Sequence, residues 1–148
     1  MSTMISNRCL YALKAMLELS LRDRQGPITI GQIAEAQRIP VRFLEAILRQ
    51  LKQAGLAHSA RGKEGGYQLA REPHRITMGE VIRLFEGPLV AVGKAENQET
   101  ASNVPDVFTP VWQQAERALA GVYDETDFGM LIDRERNRSE AQATNFTI

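Results

Sequence analysis

Arg42, Glu45, Arg49 and Lys52 stand three, four and three residues apart, a spacing that sets all four on the outer side of one helix, with Gln53 beside them. In a DNA major groove an arginine can donate twice to guanine, and a glutamate can accept from the amino group of cytosine. Arg42 and Glu45 therefore have the chemistry to read bases, while Arg49, Lys52 and the preceding Arg38 suit phosphates, which position a protein without reading sequence. The plainer alternative is a surface Arg42–Glu45 ion pair worth little. A second basic feature follows at residues 61–71, which read RGKEGGYQLAR. Gly62, Gly65 and Gly66 allow a tight turn and close approach, and Arg61 and Lys63 supply charge beside it. These glycines lead into Tyr67, Gln68 and Leu69, which alternate like a strand, and not into the helix that a phosphate-cradling loop requires.

Other chemistries find little support. Cys9, His58 and His74 are too scattered for a zinc site. His58, Ser59 and Glu64 lie together but on a hairpin, without a nucleophile turn or oxyanion donors, so the chain does not read as an enzyme. Cys9 is the single cysteine; it excludes an internal disulfide framework and fits a reducing cytoplasmic setting. It has two readings, a redox switch whose thiol is acidified by Arg8 or a small buried apolar residue.

The elements that must carry these residues follow from apolar periodicity. Leu10, Leu13, Leu17 and Leu21, with Ala12, Met16 and Leu19 beside them, predict a helix over 6–23 with one buried face. Thr29 can cap a second helix built on Ile30, Ile33 and Ala34. A third is expected over 40–54, opened by Pro40, closed by Gly55, and lined inside by Phe43, Leu44, Ile47, Leu48 and Leu51. A short helix, a tight turn and a longer helix make a helix-turn-helix, and strands at 56–60 and 67–69 add a wing. Tyr67 reads as an aromatic that anchors the wing.

Beyond the wing, Thr77 caps a fourth short helix with Val81, Ile82, Leu84 and Phe85 available for packing. Residues 87–105 show no period and read as a loop. Val107, Val111, Trp112, Ala115, Leu119 and Val122 form the apolar stripe of a longer helix over 107–123. A further turn through Phe128, Met130, Leu131 and Ile132 is expected, then a flexible tail. The expected organisation is a DNA-binding domain over 1–75, a short helix and sensor-type loop over 76–106, a dimerisation helix and short terminal helix over 107–132, and a tail over 133–148.

The formal net charge of zero conceals a division: twelve basic side chains face six acidic ones up to Arg75, and the proportion reverses beyond it. A basic amino-terminal module on an acidic remainder suits a polyanionic partner for the first part only. No apolar run approaches the roughly 20 residues needed to span a bilayer, and the first residues carry no secretory pattern.

The stretch 61–71, after Ile33-Ala34-Glu35 and Phe43-Leu44-Glu45-Ala46-Ile47-Leu48, resembles the Rrf2 family of bacterial transcriptional regulators. The likeness runs from Tyr11-Ala12-Leu13 through Gly79-Glu80-Val81-Ile82 and, less closely, from Val111-Trp112 to Met130-Leu131. The resemblance implies a mainly α fold with a small β-hairpin, a winged helix-turn-helix domain plus a long carboxyl-terminal dimerisation helix. It implies a homodimer joined through Val111, Trp112, Ala115, Leu119 and Val122, acting on a palindromic operator, and a repressor. It also implies base reading from the start of the third helix and entry of Arg61 into the minor groove. Many members hold an iron–sulfur cluster through three cysteines in the loop that corresponds to 87–105, where this sequence has none. What remains resembles the clusterless branch, without a cofactor, in which an effector ligand, a partner protein or a thiol such as Cys9 exerts control. A winged-helix protein–protein interaction module is the reading from another class.

Overall fold

The computed structural model describes residues 5–61, 65–90 and 106–145. Three helices build the amino-terminal body: α1 (Asn7–Leu21), α2 (Ile30–Gln37) and α3 (Val41–Gln53). Each boundary has a local cause. The Ser6 hydroxyl accepts from the Cys9 N–H at 3.1 Å to open α1. Thr29 and Gln32 close a reciprocal capping box on α2, and Gly55, at φ 77°, follows the end of α3.

Strands β1 (Ala57–Ala60) and β2 (Gly66–Leu69) pair antiparallel, with Ala57 opposite Leu69 and Ala60 opposite Gly66. Ile28, just ahead of α2, extends this hairpin: its N–H donates to the Tyr67 carbonyl at 2.8 Å and its carbonyl accepts from the Tyr67 N–H at 2.7 Å. A Cβ on Gly66 would overlap the Ile28 carbonyl, so the glycine is required there by close approach of a neighbouring strand. After a 3-10 turn at Pro73–Arg75, α4 (Met78–Glu86) begins with a second capping box, between Thr77 and Glu80. Helices α5 (Thr109–Asp124) and α6 (Phe128–Asn145) complete the described chain.

One core joins α1, α2, α3, the base of the wing, α4 and α6; Met16, Leu19, Ile33, Leu44, Ile47, Leu48, Leu51, Ile76, Val81 and Phe128 are almost wholly buried. Three expectations need correction. The buried face of α1 is Cys9, Ala12, Ala15, Met16 and Leu19; Leu10 is exposed, and Leu13, Leu17 and Leu21 are half-buried. Leu10, Leu13, Leu17 and Leu21 share one face of this helix, and the body closes over the opposite face, which carries Ala12, Ala15 and Leu19. Phe43 is not part of the inner stripe of α3: it is 44% exposed and stacks on Tyr11. The region expected as a tail from residue 133 is helical to Asn145, because α6 meets neither glycine nor proline after Gly129 and an Arg138–Glu135 ion pair of 2.6 Å spans one of its turns. Among the described residues no helix is long and apolar enough to cross a membrane.

Candidate nucleic-acid interface

Helix α3 is held by its buried face of Leu44, Ile47, Leu48 and Leu51 against α1, α2 and β1, which leaves the opposite face to solvent. Arg42, Glu45, Arg49, Lys52 and Gln53 all lie exposed on that face. The turn into α3 is fixed by Ile39, which is buried and donates its N–H to the Ala34 carbonyl at 3.0 Å. Arg38, one residue earlier, sits in the left-handed region at φ 54° and ψ 49° with its side chain exposed. Pro40 caps α3 from outside the helix, and its carbonyl accepts from the Phe43 and Leu44 N–H groups at 3.0 and 3.3 Å.

The charged groups on this face are unsatisfied by one another. Among the described residues Arg38, Arg42, Glu45, Arg49, Lys52 and Arg61 enter no ion pair, so the surface pair between Arg42 and Glu45 does not form. The Arg42 guanidinium instead lies 4.6 Å over the centre of the Phe43 ring, a cation–π contact that holds it at the start of the helix. Arg61 directly follows β1, which packs on α3, so the wing's arginine and the row on α3 are carried by neighbouring elements. Lys63 lies outside the described residues. The fold thus brings Arg42, Glu45, Arg49 and Lys52 onto one surface, with Arg38 at the turn that leads into it.

Elsewhere the expected residues meet different surroundings. Cys9 is wholly buried, and burial first, with the negative charge of Glu86 second, pushes its thiol up to about 11. That is the reverse of acidification by Arg8, whose guanidinium lies 5.7 Å over the Phe85 ring and donates to Gln50 Oε1 at 2.8 Å. At neutral pH the group is a thiol, the less reactive form.

Val111, Trp112, Ala115 and Val122 are exposed on α5 and Leu119 is half-buried; no residue of this helix is buried. Among the described residues, helix α5 meets the body only through its carboxyl-terminal half, against α4, and does not fold back over the core along its length. Asp106 secures the start of α5, its Oδ1 accepting from the Phe108 and Thr109 N–H groups at 2.8 and 2.7 Å, which holds its carboxyl below the usual carboxylate range. At the other end Arg83 of α4 grips Asp124 through two hydrogen bonds of 2.6 and 2.7 Å. Periodicity gave no signal for this clamp, because its partners lie 41 residues apart.

A family model described as "Rrf2: Iron-dependent Transcriptional regulator" matches residues 5–134. The HTH-type transcriptional regulator CymR of Bacillus subtilis is 34% identical over 137 residues, which cover 93% of this chain and 95% of that protein. A putative HTH-type transcriptional regulator of Synechocystis is 32% identical, again over 93% of this chain and 95% of the relative. Among solved structures, that of CymR, the global cysteine regulator of B. subtilis, superposes with a TM-score of 0.75 at 32% identity, covering 88% of this chain and 97% of the other. T. potens IscR gives 0.72 at 30% identity, with 89% and 88% covered. The family's description names iron, but the donors in this chain do not fit a cluster held by three cysteines: the sequence contains one, buried in α1. Among the described residues no group of three or more His, Cys, Asp or Glu is placed to hold a metal ion.

Proposed function

The chain belongs to the Rrf2 family of transcriptional regulators, and from that premise we propose that it acts as a homodimeric repressor on a palindromic DNA operator, without an iron–sulfur cluster. The observation that carries the DNA-reading part is the exposed, unpaired row on α3. A cation already paired with a neighbouring carboxylate must break that pair to bind DNA, whereas these side chains have no ion pair to break. Arg42 and Glu45 read bases in the major groove, and Arg61 enters the adjacent minor groove, whose negative potential favours a guanidinium. Arg38, Arg49, Lys52 and Lys63 meet phosphates. Two copies join through Val111, Trp112, Ala115, Leu119 and Val122, so the symmetry of the protein sets the symmetry of the operator. A dimer seated there represses by occluding the promoter.

The test is binding to a fragment selected from the source genome, measured by fluorescence anisotropy beside random DNA across a salt series. The specific complex is expected to weaken steeply with salt, as counterions reassociate with phosphates. Arg61→Ala and Glu45→Ala narrow the gap between operator and random DNA by about 1–3 kcal/mol each, the usual value of a base contact. Lys52→Ala weakens both equally. A double variant Arg42→Ala/Arg61→Ala that still selects the same operator defeats the assignment. Salt-independent behaviour, with no DNA retained, favours the protein–protein interaction module instead.

A further inference from the structure

Helices α1 and α3 leave between them a cleft of about 450 Å³, a size ordinary for small-molecule sites. Its apolar walls are Tyr11, Phe43, Ala46 and Ile47, and its charged lining is Arg8 and Arg42. Tyr11 and Phe43 stack with ring centres 6.1 Å apart and planes at 22°, forming a flat aromatic wall. Phe43 contributes little to the core of α3, which Leu44, Ile47, Leu48 and Leu51 fill, so its exposed ring remains available to a ligand. Both guanidiniums rest on aromatic rings, Arg8 on Phe85 and Arg42 on Phe43, and neither has a carboxylate partner among the described residues. Among the described residues, no acidic side chain lines the cleft. Glu86, at the same end of α1, accepts from the Ser6 N–H and hydroxyl.

Two unpaired cations beside an aromatic wall select a particular chemistry. A bare inorganic anion gains nothing from the rings, and a neutral or cationic aromatic leaves the guanidiniums uncompensated. We propose that this cleft binds a small organic carboxylate with a planar apolar body, and that its occupancy withdraws Arg42 from operator DNA. The second half rests on the DNA-reading role of Arg42; the first does not. One residue is shared between ligand and DNA, so the two bind in competition and the ligand relieves repression.

Phenylacetate serves as the probe, with neutral phenylacetamide and inorganic phosphate as controls, titrated into the full-length protein and followed by backbone amide NMR. Phenylacetate is expected to shift the amides of Tyr11, Phe43 and Ala46. Phenylacetamide binds at least about tenfold more weakly, as does phenylacetate to Arg8→Gln, because a hydrogen bond to a charged group is lost. Arg8→Gln retains operator affinity in the absence of probe. In anisotropy, saturating phenylacetate lowers operator affinity of the wild type about tenfold, and has no effect on Ala46→Leu, in which the added side chain fills the cleft. Equal binding of acid and amide, equal shifts with phosphate, or no shifts at these residues overturns the site. Shifts that follow protein concentration instead of probe assign the cleft to a second copy and overturn it as well. Cleft binding by a wild type that does not retain the operator upholds the site and removes the regulator reading with its competition.

Discussion

Arg38 holds a left-handed backbone at the end of α2, where glycine is the residue of least cost and a side chain with a Cβ is strained by about 1 kcal/mol. The role proposed for Arg38 at the phosphates uses its charge and not its backbone conformation, which Arg24 shares at φ 70°. Arg38→Gly is therefore expected to raise stability to urea by about 0.5–1 kcal/mol while weakening operator and random DNA alike. A variant both less stable and unchanged in DNA binding removes the residue from the interface. Cys9 makes a different kind of prediction. Its folded thiol is pushed up to about 11 by burial and Glu86, above an ordinary value near ~8.5, so folding favours the protonated form. That stabilisation is complete below the ordinary value and is lost as pH rises toward 11. The stability advantage of the wild type over Cys9→Ala should shrink by up to about 2–3 kcal/mol between pH 8 and 11. Urea titrations of both proteins at the two ends of that range read the difference; a constant gap shows that burial does not act on the thiol.

Helix ends were more legible in the sequence than helix faces. Thr29 and Thr77 announce α2 and α4 because a capping side chain acts over three residues, a distance that sequence displays directly. The row from Arg42 to Lys52 was legible for a similar reason, since one helix carries all of it. The buried side of α1 was not, because the helix is apolar on two faces, one with Leu10, Leu13, Leu17 and Leu21 and one with Ala12, Ala15 and Leu19, and its tertiary neighbours choose between them. The cleft beside Phe43 and the grip of Arg83 on Asp124 depend on chain segments far apart, and no local period reports them. The continuation of α6 past Ile132 escaped because its stability comes from charge pairing and the absence of breakers, not from an apolar stripe. Gly66 joins the local and the distant. Its turn-like context suggests a tight turn and close approach to another surface, but not that the surface is Ile28, 38 positions earlier in the chain. Since the obstacle is backbone and cannot swing aside, Gly66→Ala should cost roughly 2–3 kcal/mol and release the Ile28–Tyr67 bridge. Thermal unfolding reads the first effect and amide exchange at Tyr67 the second; an unchanged melting temperature would mean that the wing is not held by this contact.

Across the whole molecule, charge and apolar surface are segregated. The basic excess lies up to Arg75, in the half that carries α3 and the wing, while Val107, Val111, Trp112 and Val122 present their apolar surface on and beside α5 at exposures of 81, 55, 41 and 62%. So large an apolar face on a 16.5 kDa chain is characteristic of an interface. The orientation of α5 relative to α4 is constrained by the Arg83–Asp124 clamp, whose hydrogen bonds hold the Asp124 carboxyl below the ordinary range. Both partners are about 40% exposed, so the clamp is worth little as stability and its value is directional. If α5 is the seam of a dimer, a charge at its centre should separate the copies without disturbing a core to which α5 contributes no buried residue. Trp112→Glu is therefore expected to keep the wild-type melting curve at low concentration but to scatter light as one chain where the wild type scatters as two. Two half-sites engaged together gain effective concentration, so the monomer should lose about 100-fold or more on the palindrome while binding an isolated half-site as well as before. A wild type that remains one chain at micromolar concentration overturns the dimer, and a Trp112→Glu protein that remains two places the seam elsewhere; either removes the basis for matching a palindrome to this helix.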